Sequence, residues 1–203
     1  MFALKRLLVV AFAALVVFCF WPRHSSLRIF DPQKMADIQL QVWREAATKN
    51  RNGMIGPLYE LYSGQYQIPP IGSLMMAIDM SSALTIFATA PDAADQEKAL
   101  VPLRTVYVNL KNSTKGTFDP DAMARMELAT WMLQADHAKR AQLTTSISER
   151  LAILYGLTSE QCLPAAKHFA QARKNVNESL WADAGTELLA GWSALKENLA
   201  AQP

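Results

Sequence analysis

Cysteine is nearly absent: the 203 residues hold two, Cys19 and Cys162. Cys19 lies inside an apolar run, so the two do not pair, and a chain with one thiol in its main body is not a disulfide scaffold. No CxxC and no Cys/His cluster occurs, which leaves no structural zinc site of the usual kind. Histidine is limited to His24, His137 and His168. None of them forms an HxxxH or ExxH pair on one helix, so a di-metal bundle site is not encoded. No GxxxxGK[ST], GxGxxG or GxSxG is present, and with them go the phosphate-cradling loop and the nucleophile elbow. Glycine is scarce at 8.

Positive charge is also thin where it would matter. Lys5, Arg6, Arg23 and Arg28 lie in or beside the first segment, leaving 16 basic against 18 acidic residues from Ile29 onward, a balance of −2. A nucleic-acid binder neutralises phosphates with a basic face, and no Lys/Arg cluster with interleaved aromatics appears. Abundant Ala, Leu, Met, Gln and Glu favour helix over sheet. With 51% hydrophobic residues the chain has the material for a core. The expected fold class is all-α.

What the chain does have, first, is an N-terminal apolar segment. Leu7 to Trp21 carries no charged or strongly polar group and is preceded by Lys5 and Arg6. As a helix it covers roughly 23 Å, short of the ~30 Å hydrocarbon core unless Phe2 to Leu4 extend it while Lys5 and Arg6 snorkel. A cleaved signal peptide is the competing reading, and a core helix a third. No A-x-A-like site follows the run, because Phe20, Trp21, Pro22, Arg23 and His24 stand there, which favours an uncleaved anchor. Val16 to Phe18 are not a lipobox before Cys19. Flanking charge favours N-in, with the main domain across the membrane, although Arg23 and Arg28 weaken the asymmetry.

Second is an internal repeat. Phe30 to Trp43 (FDPQKMADIQLQVW) returns at Phe118 to Trp131 (FDPDAMARMELATW) with seven of fourteen positions identical. Leu103, Tyr107, Leu110 and Lys111 match Leu188, Trp192, Leu195 and Lys196 in the same order. Convergence of capped amphipathic helices is the alternative to a true duplication. Each copy opens on Asp-Pro, where Asp caps the helix and Pro at the first helical position forfeits no needed donor. The spacing predicts helices to about Arg51 and His137. Asn52-Gly53 and Gly56-Pro57 then predict a break before a short helix over Leu58 to Tyr66, and Pro69-Pro70 a break before one ending near Ala88. A fourth is predicted from Pro91-Asp92 to Asn112, bent at Pro102. In the second copy, Gly156 ends a helix begun near Lys139, Thr158 with Gln161 makes a capping box, Pro164 kinks or delays the next helix, and a last helix runs from Ser179 to Ala200.

The expected organisation is an anchor at residues 1–28 and a helical domain at 29–203, with halves of about 30–112 and 118–203. The domain is expected as a right-handed array of antiparallel helix hairpins, about eight helices in two four-helix halves. Ala83 to Ala88 and Ala165 to Ala170 resemble the small-residue and Phe pattern of tetratricopeptide helices, without the full consensus. The whole pattern, an apolar N-terminus, a DP…W helix and later an EL…W helix beside a Tyr-rich one, is similar to that of a family of bacterial membrane-anchored α-helical proteins of unknown function. That resemblance implies placement at the bacterial inner membrane and no activity.

Candidate functional residues come from a helical wheel. Met35, Ala36, Ile38, Leu40, Val42, Trp43, Ala46 and Ala47 fill one apolar arc, and Gln39 falls within it. Its counterpart is Glu127, flanked on the wheel by Met123, Ala124, Met126 and Trp131. A buried carboxylate is costly unless paired or hydrogen-bonded, so Glu127 can fix packing, meet a ligand or act in catalysis. His137 at a helix end suits the dipole. Tyr59, Tyr62, Tyr66, Tyr107 and Tyr155, with Trp181 and Trp192, form either core or a groove for a peptide or lipid chain. The leading expectation is a single-pass membrane-anchored scaffold or accessory subunit that engages a protein partner. It needs no catalytic residue, metal or cofactor, and its helical domain faces the periplasm. The alternative is a small-ligand or enzymatic site around Glu127.

Overall fold

A computed structural model of the chain describes residues 25–135, 139 and 142–202. The N-terminal apolar segment, with Cys19 and His24, lies outside the described residues, as does His137. Within them the structure is helical and contains no strand. The order is α1 (Pro32–Ala47), α2 (Arg51–Glu60), α3 (Pro70–Thr89), a short α4 (Ala93–Gln96), α5 (Leu100–Thr114), α6 (Pro120–Ala135), α7 (Leu143–Tyr155), α8 (Ser159–Asn177) and α9 (Trp181–Ala200).

Each longer helix packs on the next one in sequence, and α9 packs back against α1, so the succession closes on itself. Phe30 stands at that closure. Its ring meets Trp192 of α9 edge-on at 5.4 Å, and its carbonyl accepts a hydrogen bond from Lys196 Nζ at 3.0 Å. Just before it, the Ser26 amide donates to the Tyr66 carbonyl and the Ser25 hydroxyl to that of Gln67. Leu27 is buried, so residues 25–28 pack with the helical domain.

Side-chain caps start the helices where short polar residues permit. Asp31 Oδ1 accepts from the Lys34 amide, Asp92 Oδ1 from Asp95, and Asp119 Oδ1 from Asp121. Thr158 and Gln161 form the expected reciprocal box, at 3.2 and 2.9 Å. Gly156 supplies the left-handed residue that ends α7, at φ 66°.

Four boundaries differ from the sequence expectation. The first helix stops at Ala47, because Lys49 turns left-handed and Asn50, not a residue beyond it, caps the next helix through the Gly53 amide. Gly56-Pro57 lies inside α2. Pro disfavours a helical predecessor through that residue's Cβ, which Gly56 lacks. Pro102 causes no bend within a long helix: it sits in the first turn of α5, where its missing N–H costs little, and the irregular turn Glu97–Ala99 comes before it. Pro164 likewise lies inside a continuous α8.

One irregularity shapes the interior. After α2 the chain makes a π-helical turn, Leu61–Gln65, with the Tyr66 amide reaching back to the Leu61 carbonyl. Such widened turns interrupt helical register and commonly sit at functional sites. Here the turn brings Tyr62 and Tyr66 inward and aims Gln65 Oε1 at the Asp31 amide, 3.0 Å away. Among the described residues, α3 is long and apolar enough to cross a membrane. Its inner face buries Met76, Ala77 and Ala83, whereas Ile71, Leu74 and Met75 are exposed.

Candidate functional site

The two inward polar positions read from the repeat lie on one central cavity of about 190 Å³. Each of the eight longer helices contributes to its wall, from Met35 and Gln39 on α1 to Arg173 on α8 and Trp192 on α9.

Glu127 is 8% exposed and is the hub of the polar side of this wall. Its Oε1 accepts from Trp131 Nε1, one turn along α6, at 2.8 Å, and its Oε2 accepts from Tyr107 Oη on α5 at 2.8 Å. The same Oε2 is ion-paired to Arg150 Nη1 of α7. All three partners are donors in these contacts, so Glu127 serves as a carboxylate acceptor throughout. Burial disfavours the Arg150 cation, yet the Glu127 carboxylate and the Tyr107 hydroxyl beside it together more than offset that and hold its pKa above the ordinary value.

Gln39 is half-buried and simpler. Its Oε1 accepts one hydrogen bond, from Trp192 Nε1 at 2.8 Å. The two positions are thus served alike: Tyr107 bonds Glu127 and packs edge-on against Phe118, while the matching Trp192 bonds Gln39 and packs edge-on against Phe30. Trp43 and Trp131 correspond as well, but what covers them differs. Phe87 lies edge-on to Trp131, and the Arg173 guanidinium stacks over Trp43 at 3.9 Å.

Arg173 has an unusual environment. Its Nε, like that of Arg150, is buried without a hydrogen-bond partner, but unlike Arg150 it forms no ion pair with any described carboxylate. Burial lowers its pKa to about 10, with the field of Glu127 acting in the opposite sense. Stacking on an indole face stabilises a cation but satisfies none of its N–H groups.

Four phenols complete the wall. Tyr66 and Tyr155 share a hydrogen bond at 3.2 Å. Burial pushes the Tyr66 pKa up to about 12 and those of Tyr62, Tyr107 and Tyr155 upward as well, so at neutral pH these groups are hydrogen-bonding phenols and not bases. Tyr59 and Trp181, from the same aromatic set, are not in the wall. Cys162 is fully buried away from it, and burial raises its thiol to about 11. His168 is also outside it, 2.7 Å from Glu187. Among the described residues no group of three His, Cys, Asp or Glu side chains could hold a metal. The described residues of the wall offer hydrogen-bond donors and acceptors, two guanidinium groups and one carboxylate to the cavity.

Sequence reasoning singled out Glu127, which is buried, and Gln39, which is half-buried, and passed over Arg150 and Arg173. Both sit on apolar helix faces, Arg150 between Ile147 and Leu154, Arg173 one turn beyond Phe169, and the wheel applied to α7 and α8 would have marked them. No protein-family model, curated protein or solved structure matches this chain.

Proposed function

We propose that the helical domain is a small-molecule-binding module whose site is the central cavity. One observation carries this reading: a cavity of about 190 Å³ into which polar groups from first and second halves converge, Gln39, Tyr62 and Tyr66 from one, Glu127, Arg150 and Arg173 from the other. A site used only for packing would be filled by apolar side chains. The pairing of Gln39 with Trp192 and of Glu127 with Tyr107 also supports a duplicated domain, with the ligand held between two diverged halves.

The test is thermal unfolding of the full chain against a panel of small acids, amides, amines and alcohols, compared with a variant in which Val106→Phe fills the cavity. A ligand present at about 100 times its Kd stabilises the native state by roughly 2.7 kcal/mol. The expected result is a compound that raises Tm in the parent chain and not in the filled variant. If no compound does so and Val106→Phe is itself the more stable protein, the cavity is a packing void.

Tethering at the membrane belongs to the same proposal. It is supported by the apolar run Leu7 to Trp21 and by the fixing of residues 25 and 26 at Tyr66 and Gln67, directly before α3. The exposed Ile71, Leu74 and Met75 lie at that end of α3. A protein partner, as for an accessory subunit, would then be met on the outer helix faces.

A further inference from the structure

We propose that the ligand is a small organic acid, a single carboxylate on a compact apolar body, and that Arg173 is the residue that receives the carboxylate. This rests on the ligand-binding reading above and specifies its chemistry.

The cavity carries unequal charge. Its wall contains two guanidinium groups, Arg150 and Arg173, and one carboxylate, Glu127. The carboxylate is committed to Arg150, Tyr107 and Trp131. One positive charge is left over, and it is Arg173. A cation withdrawn from water is costly unless it is paired. Trp43 covers one face of the guanidinium, and stacking leaves the in-plane N–H edges, the groups that match a carboxylate in a two-point contact. A single leftover charge suits a monoanion better than a phosphate, whose charge approaches −2 at neutral pH.

Position supports the same conclusion. Arg173 and Gln134 line both the central cavity and a second depression of about 220 Å³. That outer depression also carries Lys167 and Lys174, the latter 4.0 Å from Glu178, and no carboxylate in its lining. Arg173 therefore stands at the junction between a basic outer vestibule and the interior, where an incoming anion is drawn first. Beyond it the inner wall offers Met35, Ile38, Val42 and Met80 to an apolar body.

The experiment titrates the full chain, held in non-ionic detergent, with three matched pairs: benzoate and benzamide, phenylacetate and phenylacetamide, hexanoate and hexanamide. Tryptophan fluorescence reads occupancy, since Trp43, Trp131 and Trp192 line the cavity. At least one acid is expected to bind roughly tenfold or more tightly than its amide, the scale of a hydrogen bond to a charged group. Arg173→Met should abolish that preference while leaving the amide's affinity within about twofold. Because the substitution removes an unpaired, partly buried cation, the variant should unfold at the same or a higher temperature without ligand, which separates an anchoring role from a structural one. Acid and amide binding alike to the parent chain, or an acid preference that survives in Arg173→Met, would overturn this inference and leave the cavity a neutral-ligand site. Failure of all six compounds to bind would overturn both it and the broader ligand-binding reading.

Discussion

Glu127 holds three donors from three helices, so its removal is felt through what it leaves unpaired. In Glu127→Gln one oxygen becomes an amide nitrogen, and Arg150, with a side chain 21% exposed, loses its counter-charge. Breaking such a pair costs about 3–5 kcal/mol, whereas replacing both members by apolar groups is often neutral. Glu127→Gln is therefore expected to lower stability in denaturant unfolding by about 3 kcal/mol, and adding Arg150→Met should recover a large part of that loss. An additive double variant would remove the pair as the cause. The phenols give a second prediction. Their folded pKa values lie above the unfolded value near 10. Their contribution is then fully present below about pH 10 and lost as pH rises through the folded values, to about 12 for Tyr66. The Cys162 thiol, raised to about 11, acts in the same direction from a lower starting pH, and Arg173, lowered to about 10, acts in the opposite one. Unfolding midpoints should stay level to about pH 8.5, decline as the Cys162 thiol begins to titrate in the unfolded chain, and fall more steeply above about pH 10, by up to about 1.4 kcal/mol per pH unit for each group. A midpoint unchanged to pH 11 would mean the phenols titrate as in solution.

At the scale of elements, the sequence was most legible where a helix end has a local chemical cause. Asp31, Asp119, Thr158 and Gly156 act through their own or adjacent backbone, and each stands where the residue type predicted. It was least legible at Pro57 and Pro164, because whether a helix tolerates proline depends on the residue before it and on packing around it. The π turn at Leu61–Gln65 has no local signal either. The site divides in the same way. A short polar side chain on an apolar arc is conspicuous, so Glu127 and Gln39 were found; a long arginine on such an arc can snorkel outward, so Arg150 was not, and its partner lies 23 residues away on another helix. Packing between α8 and α9 yields an element-scale prediction. A Cβ at Gly191 would come 2.6 Å from the Phe169 ring, which packs against Trp192 at 5.0 Å. Gly191→Ala should destabilise by about 1–3 kcal/mol despite the better helix propensity of alanine, with altered tryptophan fluorescence because the ring must shift. A gain in stability would indicate helices that sit further apart.

Closure is the property of the whole molecule that matters most for function. Because α9 returns to α1, all eight longer helices share one interior, and a cavity there is reached by groups distant in sequence. The chain's lead-in is part of that closure. Arg28 Nη2 donates to the Tyr155 carbonyl at 3.2 Å, and Leu27 is buried, so the residues that follow the proposed tether pack at the domain's seam. Three residues lie between Trp21 and Ser25 in the sequence, four steps that can span at most about 14 Å. Ser25 itself is held at Gln67, just before the first turns of α3, where Ile71, Leu74 and Met75 are exposed. A helix edge of that composition beside an anchor is suited to the membrane interface. Removal of residues 1–23 keeps Ser25, Leu27 and Arg28, and so should leave the domain folded with its Tm unchanged. On fractionation, the full chain is expected in the membrane and to require detergent for release. The shortened chain is expected mostly in the soluble fraction, with the residue on the membrane eliminated by Leu74→Glu with Met75→Glu. A shortened, folded chain that stays wholly membrane-bound after those two substitutions would locate the attachment elsewhere and exclude both the tether and the α3 edge.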